Sequence, residues 1–180
     1  MRKALIIVDY QYDFVAEDGA LKVEGARAIE GNIAALADEY DEADIYFTLD
    51  SHADADWGKP DVFPETRAFG KHCLRGTKGW EIYGQIKGKA NEANYISKCA
   101  YCPGNDYLQK LVVRYDEFTV VGVVTDICVF QTVIGLYSTA VNNGVPITIT
   151  VRRDACASFN PARQQFALDY MRDILHVNLC

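Results

Sequence analysis

No stretch of this 180-residue chain is apolar for long enough to cross a bilayer. The opening Met1-Arg2-Lys3-Ala4 runs into a strand-like segment with no cleavable apolar leader, so a cytoplasmic protein without a membrane partner is expected. Positive charge is scarce: 18 Lys and Arg stand against 25 Asp and Glu, a net of −7. Phosphate neutralisation needs a basic face, so nucleic acid is excluded as a partner and a small neutral or polar substrate is expected. There is no internal repeat, low-complexity tract or linker. Residues 1–180 therefore read as one domain, with 49% apolar residues to fill its core.

A glycine-rich phosphate turn is also missing. The first apolar run is followed by Asp9-Tyr10-Gln11-Tyr12, which speaks against a nucleotide-binding domain. Cysteine is present in number, as Cys73, Cys99, Cys102, Cys128, Cys156 and Cys180, but without an export signal these read as free thiols. Cys99-Ala100-Tyr101-Cys102 has no second CxxC to complete a zinc knuckle. It follows the third strand instead of opening the first long helix, so a thioredoxin-like role is disfavoured.

What is present is an alternation of strands and helices. Continuous apolar runs at Ala4–Val8, Ile45–Leu49, Phe118–Val124 and Pro146–Val151 read as buried parallel strands, with edge strands at Asn94–Ser97 and His176–Leu179. Helical patterns cover Ala26–Tyr40, Asp106–Tyr115, Asp126–Asn142 and Pro161–Leu175, the last with proline at its start. Together they predict an α/β protein with a parallel sheet. The stretch from Asp50 to Ala93 is a long loop that holds two of the three histidines, and such loops in compact domains are usually functional.

In an open parallel sheet, ligands bind beyond the carboxyl ends of the strands. Those ends carry Asp9, Asp50 with His52, Lys98, and Cys128 just past Thr125-Asp126. Singly, each has an ordinary structural meaning: a turn aspartate, a surface lysine, a small core cysteine. Gathered on one edge they suggest nucleophilic chemistry. Thr125 and Asp126 are good N-cap residues, which would put Cys128 in the first turn of a helix where the dipole and a nearby lysine favour the thiolate. Asp9 could accept the thiol proton and return it to a leaving amine, with Lys98 holding Asp9 in place.

A second cluster is formed by Asp50, His52 and His72, with Glu65 between the histidines. Asp50-Ser51-His52 puts both ligands on one face of an extended segment. Carboxylate and imidazole donors suit a divalent transition metal such as zinc, manganese or iron.

Five ordered pieces now stand together: Ile7-Val8-Asp9-Tyr10-Gln11-Tyr12-Asp13-Phe14, Thr48-Leu49-Asp50-Ser51-His52, Phe69-Gly70-Lys71-His72-Cys73-Leu74-Arg75-Gly76-Thr77, Ser97-Lys98, and Val121-Gly122-Val123-Val124-Thr125-Asp126-Ile127-Cys128-Val129. In this the chain resembles the isochorismatase-like cysteine hydrolases, and within them the nicotinamidase subgroup. The resemblance implies a three-layer α/β/α fold with a six-stranded parallel sheet, a homo-oligomer, and a catalytic triad of Asp9, Lys98 and Cys128. It further implies a cis peptide between Val123 and Val124, with the backbone N–H groups of Val124 and Cys128 forming an oxyanion hole.

The ligands Asp50, His52 and His72 match the metal set that distinguishes nicotinamidases from many relatives with the same triad, with zinc the first expectation. Where some members carry a fourth ligand histidine, this chain has Ala53-Asp54-Ala55-Asp56-Trp57-Gly58, and Glu65 in Pro64-Glu65-Thr66 resembles the glutamate ligand of others. Gly70-Lys71 stands where two prolines commonly precede the metal histidine, and Cys99 to Cys102 replaces more usual residues after the lysine. The implied reaction is hydrolysis of nicotinamide to nicotinate and ammonia through a Cys128 thioester, a step of NAD salvage, with Phe14, Phe69 and Tyr101 contacting a metal-bound substrate. The alternatives are a metal-independent cysteine amidase acting on a carbamoyl or ureido compound and an inactive binding or scaffold relative.

Overall fold

A computed structural model describes all residues from Met1 to Cys180. Six strands form one sheet, all pairs parallel: β1 (Lys3–Val8), β2 (Ile45–Asp50), β3 (Tyr95–Lys98), β4 (Glu117–Val123), β5 (Thr148–Ala157) and β6 (Asn178–Leu179), in the order β3-β2-β1-β4-β5-β6. The predicted edge runs are indeed the outermost strands. The sheet grows outwards in both directions from the β1–β4 pair, so its topological switch point lies between the strands that precede Asp9 and Cys128.

Side chains of β1 alternate between two cores. Leu5 and Ile7 pack with Ile33, Leu36 and Ala37 of α2 (Glu30–Ala37). Ala4, Ile6 and Val8 face the opposite layer, built from α3 (Asn105–Arg114), α4 (Phe130–Asn142) and α5 (Pro161–Asp173) through Leu111, Val133 and Met171. A short helix α1 (Tyr12–Val15) precedes α2. Each large aliphatic side chain buried in these layers contributes about 1.5–3 kcal/mol, which explains why both faces of β1 are apolar. This is the expected three-layer arrangement, and no helix is long and apolar enough to cross a membrane.

Differences from the predicted elements have local causes. The expected Ala26–Tyr40 helix is a 3₁₀ turn at Ala26–Ile29 followed by α2, which ends at Ala37. Strand β5 continues past Val151 to Ala157, because the polar Arg152-Arg153-Asp154 interrupts the apolar run without ending the extended backbone. A register shift between Val120 and Gly122 accommodates the longer strand. Gly122 has φ +114°, and a Cβ there would lie 2.2 Å from the Val8 carbonyl oxygen, so only glycine lets β4 approach β1 so closely. Helix α5 begins as predicted: Pro161 follows Asn160, whose side chain accepts hydrogen bonds from the Ala162 and Arg163 N–H groups.

Candidate functional site

Strand register builds half of the site. Val8 pairs with Gly122 and Asp50 with Lys98, so the residues that follow β1 and β4 sit side by side next to a carboxylate–ammonium pair. Asp9 leaves β1 in a left-handed conformation, φ +47°, which Asp tolerates better than most residues and which turns its side chain into the sheet edge. The peptide between Val123 and Val124 is cis.

The structure brings Asp9, Lys98 and Cys128 together, all buried. Lys98 Nζ lies 2.7 Å from Asp9 Oδ2 and donates to Cys128 Sγ at 3.4 Å. The same ammonium is 3.8 Å from Asp50 Oδ1, so it touches both clusters. The contact with Asp9 Oδ2 is a buried, charge-assisted pair. Burial works against the charged lysine, yet the carboxylates around it, Asp9 first and then Asp50, outweigh this and hold it protonated, well above its usual range.

Two expectations about Cys128 change. Cys128 sits in a π-helical turn, Thr125–Val129, that precedes α4, and Thr125 and Asp126 do not cap it. Thr125 Oγ1 instead donates to the Ala157 carbonyl, and Asp126 accepts from the Ser158 hydroxyl, so both tie the turn to the end of β5. Nor does the site favour the thiolate: burial, the largest cause, raises the thiol well above its ordinary value, with Lys98 opposing the rise and Asp9 and Asp50 adding to it. Asp9 is also raised, with burial the largest cause and Lys98 opposing it. Both shifts run the same way, disfavouring the ionised form of the thiol and of the carboxyl group.

The second half of the site is built by the loop after β2. His52 N–H donates to the Cys73 carbonyl and Arg75 N–H to the His52 carbonyl, so the two histidine-bearing segments run alongside each other. Two side chains pin them, Gln11 buried and Asp13 half-buried. Gln11 spans the Asp50 backbone, accepting from its N–H at 2.8 Å and donating to its carbonyl at 2.9 Å. Asp13 accepts from the N–H of Cys73, itself at φ +46°, at 2.7 Å.

The Nε2 atoms of His52 and His72 both lie 3.2 Å from Asp50 Oδ2, and the three ligand atoms lie within 4.8 Å of one another. Glu65 Oε1 is 3.4 Å from His52 Nε2, buried and without a hydrogen-bond donor. His72 Nδ1–H donates to the Gly70 carbonyl at 2.7 Å, which directs its Nε2 lone pair at the cluster. Two imidazole nitrogens aimed at one carboxylate oxygen beside an orphaned carboxylate oxygen need protons or a cation between them. The four residues therefore fit a divalent metal with N and O donors. Burial is the first cause raising Glu65, with Asp50 adding to it, and a cation there would reverse both effects.

Asp50, Glu65, His72, Val124 and Cys128 open into one pocket, walled by Phe14, Phe69 and Tyr101. Leu21, Ile127 and Phe159 complete the wall and were not anticipated. Phe159 stacks on Phe69 at 6.1 Å, and its signal was its place just past the true end of β5, hidden by the polar residues within that strand. All six cysteines are free, with Cys99 exposed and Cys102 half-buried.

The isochorismatase domain matches residues 3–178 of this chain. The uncharacterized isochorismatase family protein PncA of Bacillus subtilis (strain 168) is 38% identical, with 94% of each chain aligned. The nicotinamidase/pyrazinamidase of Mycobacterium tuberculosis (strain ATCC 25618 / H37Rv) is 34% identical, again over 94% of each chain. Among solved structures, the pyrazinamidase/nicotinamidase of Streptococcus mutans UA159 is similar with a TM-score of 0.82 and 35% identity, covering 99% of both chains.

Proposed function

Since the chain belongs to the isochorismatase family, we propose that it is an amidohydrolase acting on a linear carboxamide, and specifically a nicotinamidase that converts nicotinamide and water to nicotinate and ammonia. The observation that carries this reading is Lys98, whose ammonium touches Asp9, Cys128 and Asp50 and so joins a nucleophile–base pair to a metal-type donor set around one pocket. A metal-independent amidase has no use for a buried, orphaned Glu65 oxygen beside two histidines.

Asp50, His52, Glu65 and His72 would hold a divalent transition ion, zinc being the best match to two imidazoles and two carboxylates, and when bound it would supply Lewis acidity toward a ring nitrogen of the substrate. Phe14, Phe69 and Tyr101 bound the flat ring and exclude water from it. Asp9 takes the Cys128 proton as sulfur attacks the amide carbon. The backbone N–H groups of Val124 and Cys128 stabilise the oxyanion. Asp9 then gives the proton to the departing nitrogen, so ammonia leaves and a thioester remains on Cys128. In the second half, Asp9 removes a proton from water, which attacks the thioester. Nicotinate departs and the proton returns to sulfur. Throughout, Lys98 keeps its charge and balances whichever of Asp9 and Cys128 is anionic. Nicotinate made in this way would feed NAD salvage.

Ammonia release from nicotinamide by the zinc-loaded protein and by Cys128→Ala tests the proposal. The wild type should release ammonia, and the variant should lose at least about 10³-fold in kcat. Ammonia from a carbamoyl or ureido compound but none from nicotinamide would move the substrate assignment to that class.

A further inference from the structure

Thr48 lies fully buried near the end of β2, paired in register with Val8 of β1, one residue before Asp9. Its hydroxyl makes two bonds to the same residue: it donates to Asp9 Oδ1 at 2.6 Å and accepts from Asp9 N–H at 3.1 Å. The Thr48 carbonyl also accepts from Asp9 N–H, at 3.2 Å. Nothing in the chemistry assigned to Asp9, Lys98 and Cys128 uses this side chain.

The two carboxylate oxygens of Asp9 are consequently unlike. Oδ1 accepts a short hydrogen bond from a neutral hydroxyl held on the neighbouring strand, whereas Oδ2 faces the Lys98 ammonium at 2.7 Å. A carboxylate that could spin about its Cβ–Cγ bond would offer either oxygen to the sulfur. We propose that Thr48 is a positioning residue that locks the Asp9 carboxylate in one rotamer, so that Oδ2 alone carries the proton between Cys128, the leaving nitrogen and water. β-Branched threonine suits this because its methyl group restricts χ1 and holds the hydroxyl on the Asp9 side within the strand. Valine has nearly the same shape but no hydroxyl, and it leaves Oδ1 buried without its donor.

This inference rests on Asp9 being the proton carrier in the proposed hydrolysis. Steady-state kinetics on nicotinamide with Thr48→Val, Thr48→Ser and Asp9→Asn, each checked for metal content and thermal unfolding, separates the possibilities. Thr48→Val should fold and keep its metal, with kcat lowered about 10- to 100-fold and KM nearly unchanged, because proton transfer and not substrate binding is misaligned. Thr48→Ser, which restores the donor, should recover most of the loss. The rate of Cys128 alkylation by iodoacetamide, followed by peptide mass, needs no substrate and should show the same order of wild type, then serine, then valine. A valine variant with wild-type kcat and alkylation rate, or a serine variant as impaired as valine, overturns the role of the hydroxyl. An inactive Asp9→Asn beside a fully active Thr48→Val would sink only this inference, whereas a fully active Asp9→Asn would sink the catalytic reading on which it rests.

Discussion

The two halves of the pocket are held by different forces. Asp9, Lys98 and Cys128 emerge from β1, β3 and the turn after β4, where backbone register and two packed cores determine where each side chain can go. His52, Glu65 and His72 lie in the loop between β2 and β3, in 3₁₀ turns and irregular backbone, and are held by Gln11, Asp13 and the Gly70 carbonyl. The strand-borne half is thus preformed by the fold. The loop-borne half depends on a few polar staples and on the cation it would bind, since four donors converging without one repel or compete for protons. Lys98 is the bridge, within 4 Å of Asp9, Cys128 and Asp50.

The largest expected break in this contrast is His72→Ala. It should lower metal affinity by about 10²-fold or more and abolish activity, while the alkylation rate of Cys128 stays close to wild type. Elemental analysis after dialysis, set beside kinetics, reads both halves in one preparation, and full activity without metal would remove the loop-borne half from the mechanism. Asp13→Ala comes next. It leaves the Cys73 N–H without its acceptor, so about 1–3 kcal/mol of stability should be lost in denaturant titration. Metal affinity should fall about 10-fold because His72 is no longer held. An unchanged metal affinity would mean that the loop is shaped by its own turns.

The smallest effect concerns the strand-borne half and is read in the pH profile. Burial raises Asp9 above its ordinary value of 3.8, and a general base must be ionised to work. Activity should therefore fall as pH drops through that raised value, so that the acid limb of kcat/KM lies above the range of a free aspartate. An acid limb at the free-aspartate value would show that Lys98 outweighs burial, and with it that the half held by strand register is less desolvated than its packing implies.

Much of this arrangement was legible beforehand. Apolar runs such as Leu5-Ile6-Ile7-Val8 can be stable only between two covering layers, so they announce both the parallel sheet and the edge at which Asp9 and Lys98 emerge. The donor cluster of Asp50, His52, Glu65 and His72 could be picked out by residue chemistry and spacing. Their supports were not: Gln11 and Asp13 hold Asp50 and Cys73 through backbone groups, and a backbone N–H or carbonyl looks the same beside every residue type.

The amino-acid sequence by itself determined the strand–helix alternation, the donor types and their order along the chain, because periodicity and side-chain chemistry are local properties. Only the tertiary structure decided the burial that raises the Cys128 thiol and the reach of β5 to Ala157, which brings Phe159 to the pocket. It also decided the unlike environments of the two Asp9 oxygens. A thiol at a helix start favours its anion when solvent reaches it, but here burial among Asp9 and Asp50 reverses that preference, and burial is a property of the packed whole.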